Sequence, residues 1–107
     1  MITAQELYTI LTDSQSGLNI PVAYGRFKEQ TPLPHIVYMG DGQDQLSADN
    51  TYLYKQNGYR IEYYFTDKNE AIEEAIETLL LDNGLQYSKS EDIYIPSEDA
   101  FEIYYQI

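Results

Sequence analysis

One stretch of the sequence, residues 59–66, alternates strictly between two kinds of side chain. Its odd positions are aromatic or aliphatic and its even positions more polar: Tyr59, Ile61, Tyr63 and Phe65 against Arg60, Glu62, Tyr64 and Thr66. A period of two places successive side chains on opposite faces of a β-strand. The stretch therefore predicts a strand with one buried face, which other parts of the chain must cover.

The strand-like region begins upstream at Tyr52 and contains Asn57 followed by Gly58. This dipeptide is typical of a two-residue turn in a β-hairpin. A glycine also suits a β-bulge inside one long strand, and the sequence leaves both readings open. The preceding residues 41–50 are polar and rich in turn formers, so they are predicted to form a loop.

Two helices are predicted from their caps and apolar stripes. The first covers about residues 4–14, because Thr3 and Glu6 fit a capping box, and it ends at 14–17. The second begins after Asp67, the predicted N-cap, and ends at Asn83 and Gly84. Its apolar stripe consists of Ile72, Ala75, Ile76, Leu79 and Leu80.

Shorter apolar segments predict the remaining strands, at 19–24, 35–39, 85–87, 93–95 and 101–107. Pro21 cannot donate to a strand ladder, so the first of them is expected to lie at a sheet edge or to begin at Pro21. The segment 35–39 is expected to be covered on both faces. The order of elements predicts a single α+β domain over residues 1–107. Its sheet is expected to be mainly antiparallel, with about four to six strands and two helices packed on one face.

The composition disfavours several classes of function. The chain has 107 residues with 18 Asp and Glu against 6 Lys and Arg, a formal net charge of −12. A protein that grips nucleic-acid phosphates, or an anionic membrane surface, needs a basic face instead. There is no cysteine, hence no disulfide, Cys-ligated zinc or thiol chemistry. The sequence predicts no secretory signal. It also predicts no membrane-spanning segment, because no apolar run approaches about 18 residues.

No catalytic constellation is found. His35, the only histidine, lacks a recognisable nucleophile partner and is predicted to be a strand residue with one polar edge. The acidic segment from Asp41 does not match the ligand spacing of a calcium-binding loop. No phosphate-binding glycine loop occurs. The sequence therefore predicts a non-enzymatic protein with no cofactor and no metal.

The second helix carries two i,i+4 carboxylate pairs, Glu70 with Glu74 and Glu73 with Glu77. Like charges at this spacing repel mildly, and the favoured interpretation is an exposed, solvated face. A charge-reading surface for a partner is the alternative.

Charge is distributed unevenly along the chain. Residues 66–107 hold eleven acidic and two basic residues, whereas 20–65 hold five acidic and four basic ones, Arg26, Lys28, Lys55 and Arg60. A subunit with one acidic and one mildly basic side can assemble head-to-tail, and such contacts close into rings when the rotation permits. The 12 tyrosines suit either sheet faces or a protein interface.

Several short sequence motifs resemble those of a group of small morphogenesis proteins of tailed phages and prophages. They are PHIVY at 34–38, ADN at 48–50, YRIEYY at 59–64, TDK at 66–68 and YIPSE at 94–98. The element order is similar to that of tail terminator proteins, which cap the tail tube as a hexameric ring and provide the surface that joins the head.

The resemblance implies a tail-terminator-like fold and a structural subunit for tail completion or head–tail joining. It implies a homo-oligomeric ring that contacts the tail tube and head-connector proteins, in the virion and in the host cytoplasm during assembly. The expected assembly residues are Asp49, Asn50, Tyr52, Tyr54, Arg60, Glu62, Tyr64, Glu73 and Glu77. A different class of function, also consistent with the charge, is a small acidic DNA mimic that inhibits a nucleic-acid-binding enzyme.

Overall fold

Two helices and six strands follow one another along the described chain. The computed structural model describes residues 2–13, 18–48 and 51–107, and for 43–48 and 51–57 it describes the backbone alone. In chain order the elements are α1 (Ala4–Thr12), β1 (Val22–Tyr24), β2 (His35–Ala48), β3 (Thr51–Phe65), α2 (Glu70–Asp82), β4 (Ser88–Lys89), β5 (Ile93–Ile95) and β6 (Ala100–Gln106).

The strands form one sheet in the order β1-β2-β3-β6-β4, and β5 also pairs with β6. All neighbouring pairs are antiparallel except β1 and β2. The predicted α+β class with a mainly antiparallel sheet is therefore confirmed, and the parallel pair makes the sheet a mixed one. β1 lies at the sheet edge and begins directly after Pro21, so it is shorter than the predicted segment 19–24 but has the expected position.

Both helices pack on the same face of the sheet. Leu7 and Leu11 of α1 and Ile76 and Leu80 of α2 are fully or almost fully buried. They join one core with the odd-numbered residues of β3 and their cross-strand partners: Tyr59, Ile61, Tyr63, Phe65, Ile36, Tyr38, Ile103 and Tyr105. Burying each large apolar side chain contributes about 1.5–3 kcal/mol. The alternation in 59–66 is thus confirmed as the pattern of a half-covered strand.

β2 and β3 extend well beyond the rest of the sheet. Residues 41–48 belong to β2, so the predicted loop over 41–50 is wrong for them, and residues 49 and 50 lie outside the described part. Residues 43–48 and 51–57 pair only with each other among the described strands. We call this two-stranded segment the arm. The described chain measures 48 × 33 × 26 Å along its three principal axes.

A β-bulge lies where the arm leaves the sheet. β2 carries one more residue than β3 between Gly40 and Gln43, and Gly42 in this interval has a φ of +87°. Glycine adopts such a φ without steric cost. A Cβ on Gly58 would lie 3.2 Å from the Gly42 carbonyl oxygen. Residues 57–58 are therefore not a turn: they lie within β3, opposite a bulge in its partner.

The helix starts follow two different rules. The Thr3 hydroxyl accepts from the Glu6 N–H at 3.1 Å and the Glu6 carboxylate accepts from the Thr3 N–H at 3.1 Å, so the capping box is confirmed. The prediction of Asp67 as the cap of α2 is wrong. Asn69 holds that position, because its side chain accepts from the Ala71 N–H at 3.1 Å.

The residues that end the two helices show that two predictions need correction: the end of α1 and the strand that was expected directly after α2. α1 ends at Thr12 rather than residue 14, because Asp13 has a non-helical ψ of 123°. At the end of α2, Gly84 has a φ of +74° and the Leu85 N–H donates to the Leu80 carbonyl at 2.9 Å. Leu85 thus completes the helix end, so the prediction of a strand at 85–87 is wrong, and the next strand, β4, covers Ser88–Lys89.

Candidate functional site

The five predicted assembly residues whose side chains are described lie on opposite sides of the sheet. Arg60, Glu62 and Tyr64 project from β3 away from the helices, on a surface that we call the helix-free face. Glu73 and Glu77 belong to α2 on the other side. Four further predicted residues carry no side-chain description: Asp49 and Asn50 lie outside the described residues, and Tyr52 and Tyr54 are described by backbone alone. The structure therefore does not bring the predicted set together.

Glu73 is an interior ion-pair residue rather than an exposed one. It is only 3% exposed, and its carboxylate lies 2.8 Å from the Lys68 Nζ and 3.0 Å from the Lys89 Nζ. The expectation of a solvated face is thus wrong for Glu73, although Glu70 and Glu74 are exposed. Burying a carboxylate costs little only when cations and hydrogen bonds compensate it, and here two lysines do so.

Glu77 links α2 to two other elements. Its carboxylate accepts from the Tyr105 hydroxyl at 2.8 Å and the Tyr87 hydroxyl at 3.3 Å, and lies 2.8 Å from the Lys89 Nζ. Burial raises the pKa of Glu77, but the Lys89 and tyrosine contacts outweigh it, and the net pKa is lowered. The expectation of a solvated face is therefore wrong for Glu77 as well. Sequence spacing could not reveal these contacts, because their partners lie 10 to 28 residues away.

The helix-free face carries a charged network of its own. The Arg60 Nε lies 3.1 Å from the Glu62 Oε2, and the Tyr64 hydroxyl donates to the Glu62 Oε1 at 2.9 Å. Arg60 also approaches Asp41, at 3.8 Å. Glu62 is 9% exposed although no described helix covers it. Glu62 thus contacts both of the other predicted residues of this face, Arg60 by an ion pair and Tyr64 by a hydrogen bond.

A second carboxyl group adjoins this network. Glu102 of β6 pairs in register with Tyr64 and is a diagonal neighbour of Glu62. Burial raises the pKa of Glu102, and the negative charge of Glu62 raises it further. The two carboxyl groups therefore resist carrying two negative charges at once.

A cavity of about 670 Å³ opens on the helix-free face. Its walls come from the loop 25–33 and from residues 95–100, and its floor from the strands. The loop explains why Val37 is buried on this side while Ile36 and Tyr38 are buried on the other, so the prediction that 35–39 is covered on both faces is confirmed.

Three rings form a continuous row in this cavity. The centroids of Phe27 and His35 lie 4.7 Å apart, and those of His35 and Tyr64 lie 5.4 Å apart. Burial lowers the pKa of His35, and the backbone of Pro32 and Thr31 opposes that shift only in part. Its Nδ1 atom is buried without a hydrogen-bond partner in the described part of the chain. Sequence reasoning placed His35 in a strand but gave no sign of this cavity.

The described residues hold no cluster of three or more His, Asp or Glu side chains suited to a metal ion. Among those same residues, no helix combines the length and the apolar character needed to cross a membrane. Comparison with known proteins finds no matching family model, curated protein or solved structure. The site therefore has to be interpreted from its own geometry.

Proposed function

We propose that this protein is a structural phage morphogenesis subunit of the tail terminator or head–tail joining kind, which acts by forming a homo-oligomeric ring. The observation that carries the proposal is the arm. A two-stranded ribbon is marginally stable by itself in water and gains stability from a third strand or an apolar partner surface. The arm pairs with no other described strand, so a neighbouring subunit is the partner that we propose for it.

The charges on the two sides of the sheet support a head-to-tail arrangement. Glu70, Glu74 and Asp82 are exposed on the α2 side. Arg26 and Lys28 are exposed in the loop over the helix-free face, and neither forms an ion pair with a described residue. Complementary patches on opposite sides of one subunit generate heterologous contacts, which form a ring when the rotation closes.

The proposed ring needs no cofactor, because its work is shape and charge matching. Its partners are further copies of the chain, the tail tube and head-connector proteins. Its proposed location is the virion, after assembly in the host cytoplasm. An acidic wall also suits a passage for DNA, since negative charge does not retain the phosphates.

The alternative of a DNA mimic requires a row of carboxylates that imitates phosphates. In α2 two of the four candidate carboxylates, Glu73 and Glu77, are engaged by Lys68 and Lys89 within the subunit. This leaves a shorter acidic row than the sequence implied. The structure thus offers less support for mimicry than for assembly.

Light scattering coupled to size-exclusion chromatography tests the assembly proposal. The intact chain should form a ring-sized oligomer, about six subunits, at high concentration and low salt. A shortened variant, in which Asn-Gly replaces residues 45–55, joins the two strands by a tight turn and leaves the core intact. It should remain folded and monomeric.

A charge-reversed variant, R26E together with K28E, should weaken the oligomer without loss of helix signal in circular dichroism. A control reversal of equal size on the acidic side, E70K with E74K, should also weaken it, and combining the two pairs should restore assembly. An intact chain that stays monomeric under these conditions and binds a basic nuclease tightly would support mimicry instead.

A further inference from the structure

The cavity on the helix-free face has the size of a ligand site, and its lining is not that of a simple apolar pocket. Sites for small molecules commonly enclose about 300–1,000 Å³, and this one measures about 670 Å³. The ring row of Phe27, His35 and Tyr64 lines it, together with the Glu62 carboxylate. Ring faces together with a carboxylate are the groups that receive organic cations.

The charge of the lining favours a cation. Glu62, Glu29 and Glu98 line the cavity, and Arg26 is the basic residue of the lining; Arg60 offsets the charge of Glu62 from outside it, which leaves the lining net negative. The whole chain carries a formal net charge of −12, and such a field draws cations toward the protein. An anionic ligand would meet the opposite field.

Hydrogen-bonding capacity points to a ligand rich in N–H groups. The Tyr64 hydroxyl donates to the Glu62 Oε1 and Arg60 forms an ion pair with the Oε2, but each carboxylate oxygen has two lone-pair directions and retains capacity. Glu29 and Glu98 add exposed carboxylates to the same lining. Guanidinium and ammonium groups present several donors to such acceptors.

We propose that this cavity binds an alkylguanidinium or alkylammonium group, with the cation at the Glu62 carboxylate and its alkyl stem along Phe27 and Tyr64. The group is either the side chain of an arginine or lysine of a partner polypeptide or the end of a free amine. Every residue that carries the inference belongs to one subunit, although Arg26 of the lining also belongs to the surface proposed to contact a neighbouring subunit.

Nuclear magnetic resonance of the intact chain tests it directly. His35 is the only histidine, so the imidazole nitrogens give a single set of signals. Titration with n-butylguanidinium and with n-butylammonium should shift these signals saturably. The uncharged isostere n-butylurea should bind about tenfold more weakly or not at all, which is the value of one charge-assisted hydrogen bond.

Matched variants separate the site from general electrostatic attraction. E62Q should weaken binding of n-butylguanidinium about tenfold, whereas E74Q removes the same charge from exposed α2 and should leave binding unchanged. R26A removes the competing cation and should tighten binding. If E62Q does not fold, the rim variant E29Q with E98Q takes its place and should also weaken binding.

Equal binding of n-butylurea, equal effects of E62Q and E74Q, or no saturable shift with either cation would overturn the proposal. The peptide acetyl-Gly-Arg-Gly-amide distinguishes the two sources of the cation. Binding at least as tight as that of n-butylguanidinium supports a polypeptide side chain, and weaker binding supports a free amine.

Discussion

The Tyr105 hydroxyl donates a 2.8 Å hydrogen bond to the Glu77 carboxylate, and this bond joins the last strand to the second helix. The Lys89 Nζ lies 2.8 Å from the same Glu77 carboxylate and 3.0 Å from that of Glu73. The Glu77 carboxylate and its neighbours thus connect three elements, α2, β4 and β6. The acidic helix is stabilised by these contacts rather than merely solvated.

Replacing Lys89 by Met should lower the free energy of unfolding by about 1–3 kcal/mol, because Glu77 loses its cation and buried Glu73 retains only Lys68. Urea denaturation measures the change. K28M removes an exposed lysine that has no described ion-pair partner and should change stability by less than about 0.5 kcal/mol. Equal effects of the two substitutions would refute the role assigned to the network.

Glu102 should make the protein less stable as the pH rises. Its folded-state pKa is raised above the ordinary value of 4.5 by burial and by Glu62. Its stabilising contribution is therefore complete below pH 4.5 and is lost as the pH rises through the folded-state pKa. E102Q imitates the protonated form, so it should match the parent in acid and exceed it in stability at pH 7.

Glu77 should give the opposite dependence, because its net pKa is lowered in the folded state. Its contribution is present above the ordinary value of 4.5 and disappears as the pH falls through the folded-state pKa. E77Q should therefore cost stability at pH 7 and little in strong acid. Chemical denaturation across this pH range checks both variants, and curves of the same sign for E77Q and E102Q would contradict the assignment.

Gly58 should not tolerate a methyl group, because an added Cβ would press on the Gly42 carbonyl oxygen at 3.2 Å. At Gly40 the closest approach is 3.7 Å, to the Tyr24 hydroxyl, which is an ordinary contact. Alanine that fits its backbone conformation usually gains about 0.4–1 kcal/mol from a less flexible unfolded chain. We expect G58A to be about 1 kcal/mol less stable than G40A in thermal or urea unfolding, and an inverted order would argue against the bulge.

The contribution of the α1 capping box to the free energy of unfolding should be measurable by itself. T3A removes the hydroxyl that accepts from the Glu6 N–H and should cost about 1 kcal/mol. T9A is the control: its hydroxyl bonds the Gln5 carbonyl inside the helix, where alanine is the better helix former. T9A should therefore be neutral or slightly stabilising, and equal losses at both positions would exclude a specific cap.

Local patterns in the sequence accounted for much of the fold. The alternation in 59–66, the capping box at Thr3 and the glycine end of α2 each depend on neighbours within a few residues, and each is confirmed. The continuation of β2 through 41–48 was missed. Two register shifts in the β2–β3 ladder interrupt the period of two by which a strand is recognised.

The candidate site was predictable only in part. Arg60, Glu62 and Tyr64 share a face by simple alternation, so their proximity followed from the sequence. The burial of Glu73 and the cavity beside His35 depend on Lys89 and on the loop 25–33, which tertiary folding brings from elsewhere in the chain. Pattern spacing carries no information about such distant pairings.

The route of β3 has a mechanical consequence. This strand runs from the arm into the middle of the sheet, where β2 lies on one side and β6 on the other. Tension applied along the arm pulls β2 and β3 together, so it would load the β1–β2 and β3–β6 ladders in shear, and many bonds would bear the force at once. Force across the arm would instead peel the bonds apart one after another, which makes the subunit strong in one direction and weak in the other.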